Sequence, residues 1–558
     1  MRVGLKSVTK AENMAVRRNR SLLIGLAIAL ALALVPHPRS PNPAVHEHYV
    51  AVAQEVHGQS AESIVEAEDA CISLTLLGCM GFIMAIFYLV NWPDKDIQRI
   101  SLEVVSTTIS IFGALLLFHS CEEILEHYLF HHLSLWQEVA LGMFQMIFWF
   151  VLLQVVLAYY SGALGAHHTV LKRTHSRSLA ESADSPGRRA TLQKSSDEHL
   201  KAIKLNTHAW SILLGHATGF AAKNACSALQ QAVPRNFLCC AMIPVFAFLV
   251  ISLIYSATNL LRHHKAMADG EEDEFEALWA EYAAETEDEV ISLAVSFLVV
   301  QMLRFGISGY LPDASGEDPA GHALHSNWSC ALLLLVGLVP GVADVVRLLG
   351  RRSVKRIYKL VSGVSPALRP GEERMHTWFE GISTMSFAWC IHFAVDWWVA
   401  SNFELDGSIK AVVSALLVTL LAFVLIFVLD KVADMHFKDI EVDKALRGMI
   451  AGLGMLVGFS WERCFHASVG GLANHHSFTV SAPLGRFLVA SFLAIMVLPA
   501  WKWYILPMLH AHNEHHDEFH EVHDLDHYKG HLGDETRLFG RLDNQECCPR
   551  HAKTELPQ

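Results

Sequence analysis

Long apolar stretches alternate along this chain with short polar ones. The apolar stretches fall at 21–35, 71–91, 100–120, 137–160, 207–231, 237–261, 289–310, 328–348, 377–400, 411–430, 448–468 and 485–507. A helix needs about 20 such residues to cross roughly 30 Å of hydrocarbon. The pattern therefore predicts an all-α, polytopic integral membrane helical bundle. It has twelve transmembrane helices if the short first stretch, behind Arg17-Arg18-Asn19-Arg20, is a retained signal anchor. It has eleven if that stretch is a cleaved signal peptide.

Charge placement agrees with this spacing. Residues 1–20 carry six Lys/Arg, the 161–204 loop eight and the 349–375 loop seven, whereas the loops at 121–136, 311–327 and 469–484 carry none. Positive residues collect on cytoplasmic loops, so both termini are expected inside. The resulting plan has an N-terminal region 1–70, a first transmembrane half 71–265 and an acidic cytoplasmic linker 266–288. A second half, 289–508, and a His-rich cytoplasmic tail, 509–558, complete it. The 161–204 loop, Ser-rich as well as basic, reads as a flexible linker, and the eleven Asp/Glu from Asp269 to Glu289 as a solvated amphipathic helix.

The two halves carry matching punctuation. Gly215-x-x-x-Gly219-Phe220-x-x-Lys223 recurs as Gly454-x-x-x-Gly458-Phe459-x-x-Glu462, and Glu103-x-x-Ser106-Thr107 as Glu380-x-x-Ser383-Thr384. Two tandem six-helix halves in parallel pseudo-twofold arrangement are expected, because an even number of spans gives both copies one orientation. The glycine pairs are small-xxx-small patterns and predict close packing of the fifth and eleventh spans.

Ionisable groups inside spans are costly and commonly mark an ion path. The repeat sets Lys223 against Glu462 as an expected ion pair, with Arg463 as a competing partner for Glu462. Counting on from Glu103 and Glu380 sets His119 against Asp396. His392 lies one turn before Asp396 on the same helix face and makes the pair a proton-sensitive candidate. The neighbouring Trp397 and Trp398 also fit an interfacial aromatic belt. Arg304, within the seventh span, calls for a partner that the sequence does not name.

Composition narrows the function classes. The 558 residues are 52% hydrophobic and 18% charged, with net charge −13 and mean hydropathy +0.31. No basic stripe with interleaved aromatics suggests nucleic acid. The eleven Cys lie mostly in apolar segments and read as small apolar residues. No nucleotide-binding loop, nucleophile elbow or HExxH motif is present, so no enzyme is expected. Beyond Leu509 the tail places His512, His516 and His520 at i, i+4 spacing, continued by His523 and His527. Such imidazoles suit Zn²⁺ or another transition metal.

In outline the six-plus-six plan with cytoplasmic termini is similar to otopetrin-type proton channels and to several transporter superfamilies. The likeness is one of architecture. The expected function is a transporter or channel for a small cation, most plausibly the proton, with its path between the halves. The alternatives are a divalent transition-metal transporter using the tail, a membrane haem protein built on His119, His216, His392 or His466, and a non-transport scaffold. The expected partners are the lipid bilayer and a small cation; assembly as a homo-oligomer stays open.

Overall fold

A computed structural model describes residues 80–81, 83–129, 134–164, 186–266, 273–318, 325–341, 372–403, 407–433, 440–473 and 481–512. Among them the regular structure is helical: α1 (Lys95–Leu129), α2 (Leu135–Tyr160), α3 (Pro186–Ala232), α4 (Phe237–Ala266), α5 (Glu274–Ser308), α6 (Asn327–Gly341), α7 (Glu372–Asn402), α8 (Gly407–Ala433), α9 (Ile440–Ala473) and α10 (Ala482–Ala500). The first expected span and much of the second lie outside the described residues, as do all the tail histidines after His512.

Six described helices are long and apolar enough to cross a membrane: α1, α2, α4, α5, α8 and α10 with the turns that follow it. The character of an integral membrane protein follows from them. Burial sorts them by place in the bundle. The apolar windows of α1 and α5 are 61% and 67% buried, those of α2, α4 and α10 only 28%, 33% and 22%. The latter three present bare apolar faces, such as Phe144, Phe148 and Val155 on α2 and Met242, Phe246 and Leu253 on α4. Exposed apolar surface on that scale is compatible with lipid contact. The long helices α3, α7 and α9 are less apolar because they carry the polar groups of the site.

Two elements outrun the hydropathy pattern. The acidic linker, expected as a solvated amphipathic helix, is helical but runs unbroken into the next span and is partly buried: it is the first half of α5, a single helix of 35 residues, about 52 Å long at 1.5 Å per residue. Asp273 caps it, accepting from the backbone N–H groups of Phe275 and Glu276 at 3.1 and 3.0 Å. Glu276 returns the bond by accepting from the Asp273 N–H at 3.2 Å, a closed capping box. At the other end Gly309 takes φ 77°, the left-handed turn that stops a helix. The second half of the basic loop is likewise helical: α3 begins at Pro186 and runs 47 residues. Proline at a first helical position loses no hydrogen bond, and Pro234 restricts Val233 and stops the helix near Ala232.

The glycine pairs make close approaches, but not with one another. A Cβ on Gly215 or Gly219 would sit 2.6 Å from Thr286 Cγ2 or 2.7 Å from Leu293 Cδ2, both on α5. On Gly454 or Gly458 it would meet Val104 Cγ2 at 3.2 Å or the Thr108 Cα at 3.0 Å, both on α1. The expected α3–α9 packing is thus replaced by α3–α5 and α9–α1 packing. Where α3 and α9 do meet, the rings of Phe220 and Phe459 stack at 5.7 Å and 12°. Gly458→Ala should cost about 1–3 kcal/mol, because a backbone atom must give way. Gly448→Ala on the same helix meets only Thr384 Oγ1 at 3.7 Å and should stay within about 0.5 kcal/mol. Thermal unfolding of the two purified variants makes the comparison; equal losses would dismiss the packing argument.

Candidate functional site

A cavity of about 880 Å³ opens at one end of the bundle, where α1, α2, α3, α7, α8 and α9 converge with the 309–318 connection. His119, Lys223, His392, Asp396, Glu462 and Arg463 all line it. Glu103 and Glu380 do not line it. Each precedes its cavity residue, His119 or Asp396, by 16 positions, about 24 Å along the helix. Glu380 lies 3.9 Å from His376, and Glu103 has Arg99 as its charged neighbour.

The cavity is strongly acidic. Seven Asp/Glu line it against three Lys/Arg, a balance that concentrates cations. Its acids come from every side: Glu122 and Glu123 from the turn after His119, Glu138 from α2, Glu317 and Asp318 from the connection, Asp396 from α7 and Glu462 from α9.

The expected Lys223–Glu462 ion pair does not form. Glu462 is 1% exposed and pairs with His119, whose Nδ1 lies 3.2 Å from Glu462 Oε1. Lys223 Nζ turns to the 309–318 connection. It donates to Asn224 Oδ1 at 3.2 Å and the Ser315 carbonyl at 3.5 Å, and sits 4.3 Å from the centre of the Phe297 ring. Register along two helices placed both groups at one level of the bundle, but the inserted connection took Lys223 away. Arg463 is not a partner of Glu462 either. Its Nη2 donates to Glu317 Oε1 at 3.1 Å, and its Nη1 lies 3.4 Å from His392 Nε2.

That contact settles the state of His392. A guanidinium has donors only, so Nε2 must accept and Nδ1 carries the hydrogen. The Nδ1–H then donates to Ser460 Oγ at 3.2 Å, which donates in turn to the Leu456 carbonyl at 2.9 Å. His392 is held neutral and positioned, while Asp396, one turn on, is bound to Lys410 Nζ and Ser414 Oγ, each at 3.3 Å. His119 therefore faces Glu462 and not Asp396. A double-mutant cycle on His119→Gln and Glu462→Gln should show coupling of about 0.5–3 kcal/mol in thermal unfolding. The Lys223→Glu/Glu462→Lys exchange should restore nothing that the single changes lose. Zero coupling in the first pair, or rescue in the second, would reverse this assignment.

Around the cavity the 309–318 connection is pinned by buried side chains. Arg304, fully buried, donates to the Gly316 carbonyl and to Asp318 Oδ1, both at 2.8 Å, and lies 3.8 Å over the Phe393 ring. Gly316 has φ 95°, and a Cβ there would press on Phe297 and Phe393 at 3.0 and 3.1 Å. Only glycine fits. Trp397 is fully buried and donates from Nε1 to Asp318 Oδ2 at 2.8 Å, so it serves this cluster and not a lipid-facing belt. His325 stacks on Trp397 with ring centres 3.9 Å apart and places Nε2 3.2 Å from Asp318 Oδ2. Burial works against the Asp318 carboxylate, yet the His325 contact and the Arg304 charge hold its pKa below the ordinary value.

Toward the opposite end of the bundle the side chains close. Phe220 and Phe459 floor the cavity, with Trp389 edge-on to Phe459 at 4.6 Å. Beyond them, on α3, the buried His216 has Nδ1 3.3 Å from Ser110 Oγ. Farther along, the fully buried Glu287 of α5 binds Arg262 through both oxygens, at 2.5 and 3.0 Å, and Arg374 at 2.8 Å. Glu287 sits in the stretch read as a solvated amphipathic helix, so nothing in its sequence setting distinguished it from its exposed neighbours. Arg262, at the end of an apolar run, was the available signal.

The fold and the site together define an all-helical bundle of membrane type with an acidic, histidine-bearing cavity at one end and a closed aromatic and ionic core beyond it. No family model, no curated protein and no solved structure matches the chain.

Proposed function

We propose that the protein is a membrane channel or transporter for a small cation, the proton above all, with its path entering through the acidic cavity. The observation that carries this reading is the His119–Glu462 pair, sunk in a cavity whose lining has more than twice as many carboxylates as Lys/Arg. A carboxylate and an imidazole in contact can hand a proton from one to the other within hydrogen-bond reach. Imidazole does so near neutral pH.

The floor of the cavity favours a proton over a hydrated metal ion. Phe220 and Phe459 stack there with Trp389 against them, leaving passage to species that move along hydrogen bonds or a thread of water. The cavity faces outward if both termini are cytoplasmic, as the distribution of Lys/Arg implies. The reading also takes the chain as two duplicated halves with the path where they meet. The repeated Gly-Phe pairs support this, since their phenylalanines are the residues in face-to-face contact.

Whole-cell recording during acidic steps of external pH tests the proposal. The expected result is a current whose reversal potential moves by about 59 mV per pH unit, the value for one charge per tenfold gradient. Glu462→Gln should lower it at least tenfold. A chain at the cell surface that gives neither current nor change of internal pH would overturn the reading.

A further inference from the structure

We propose that His119, Glu462 and His466 form a binding site for one divalent transition-metal ion of the Zn²⁺ class, bridging α1 and α9 at the cavity mouth. One ligand atom from each of the three lies within 4.8 Å of the others. Glu462 and His466 are one helical turn apart on α9, so they share a face, and His119 meets them from α1. A tetrahedral ion with bonds of about 2.0–2.2 Å sets its ligand atoms roughly 3.4 Å apart. His119 Nδ1 and Glu462 Oε1 already stand 3.2 Å apart. Only His466 has to close in, and it is the most exposed of the three, at 44%.

A fourth donor is within reach. Glu123 holds Arg486 through Oε1 at 2.6 Å, and the same oxygen lies 4.0 Å from His466 Nε2. Its other oxygen, Oε2, is buried without a hydrogen-bond partner. Two imidazoles with one or two carboxylates form a mixed nitrogen–oxygen set. That set suits Zn²⁺, and it is wrong for Ca²⁺ or Mg²⁺, which take oxygen ligands in larger number. Bound there, the ion would replace the His119–Glu462 hydrogen bond with two metal bonds and tie α1 to α9. An ion on the proposed proton path would block it. The site shares residues with that path but stands on ligand geometry, so binding and flux fail independently.

The test is binding of Zn²⁺ alone to the full-length protein in lipid nanodiscs, followed by calorimetry. The His-rich tail is a competing sink, so the background carries Ser at His510, His512, His515, His516, His520, His523, His527, His531 and His551 and at Cys547 and Cys548. One Zn²⁺ per chain is expected in that background. His466→Ala should weaken binding at least about tenfold, in the range that damage to a metal site produces, while His466→Cys, which supplies a thiolate ligand, should bind within a few-fold of the background. Gel filtration confirms that the variants are folded, as the exposure of His466 leads one to expect. Absence of the one-ion step, or equal affinity after His466→Ala, overturns the site.

Discussion

Glu287→Ala is expected to cost about 3–5 kcal/mol, the loss typical of breaking a buried ion pair by removing one partner. Glu287 is fully buried and joins four helices. It accepts from Arg262 on α4, from Arg374 on α7 and from Gln154 on α2 at 3.0 Å, while belonging itself to α5. Removing it strands Arg262, only 3% exposed, while Arg374 keeps Asp288 at 2.8 Å. A buried cation without its partner is the expensive species, more so than the pair was favourable. Glu285→Ala, at an exposed position on the same helix, should stay within about 0.5 kcal/mol. Thermal unfolding in detergent compares them, and equal losses would mean that the network does not hold the bundle together.

Arg304→Met should cost about 3 kcal/mol by the same mechanism, with a second, local consequence. Arg304 holds the Gly316 carbonyl and Asp318, so its loss should free the 309–318 connection and open it to limited proteolysis. The pH dependence follows from Asp318, whose pKa is depressed in the folded chain. A depressed carboxyl contributes stability above its unfolded value of about 3.9 and loses that contribution as pH falls through the native value. The gap between wild type and variant should thus be constant above about pH 5 and shrink only in stronger acid. A gap that grew on acidification would rule out Asp318 as the partner that matters.

The polar residues of the cavity were legible in the sequence because charge inside an apolar run is rare and costly. Lys223, Glu462, Arg463, His392, Asp396 and His119 stood out on that ground, and they converge on one cavity. Their partners were not legible. Matching motifs along two helices place residues at one level, but which side chains touch depends on what packs between them. The 309–318 connection holds Lys223 through the Ser315 carbonyl, a contact spanning 92 positions that periodicity does not report. The glycines announced close approach without naming the neighbour, since a missing Cβ accommodates any helix equally well. The acidic half of α5 was legible as a helix, but not as one continuous with the span that follows, because the hydropathy pattern breaks where the charges begin. The signal for its start was present as Asp273-x-x-Glu276, a capping box ahead of a run of helix formers.

The central claim is that protons cross through the cavity holding His119 and Glu462. Purified protein in liposomes, with a potassium-diffusion potential driving cations inward and a pH-sensitive dye inside, measures this without other proteins. The account predicts internal acidification by the wild-type protein and at least a tenfold slower rate for Glu462→Gln, with both proteins equally folded and inserted. Equal rates for the two, or no acidification above empty liposomes, would contradict it.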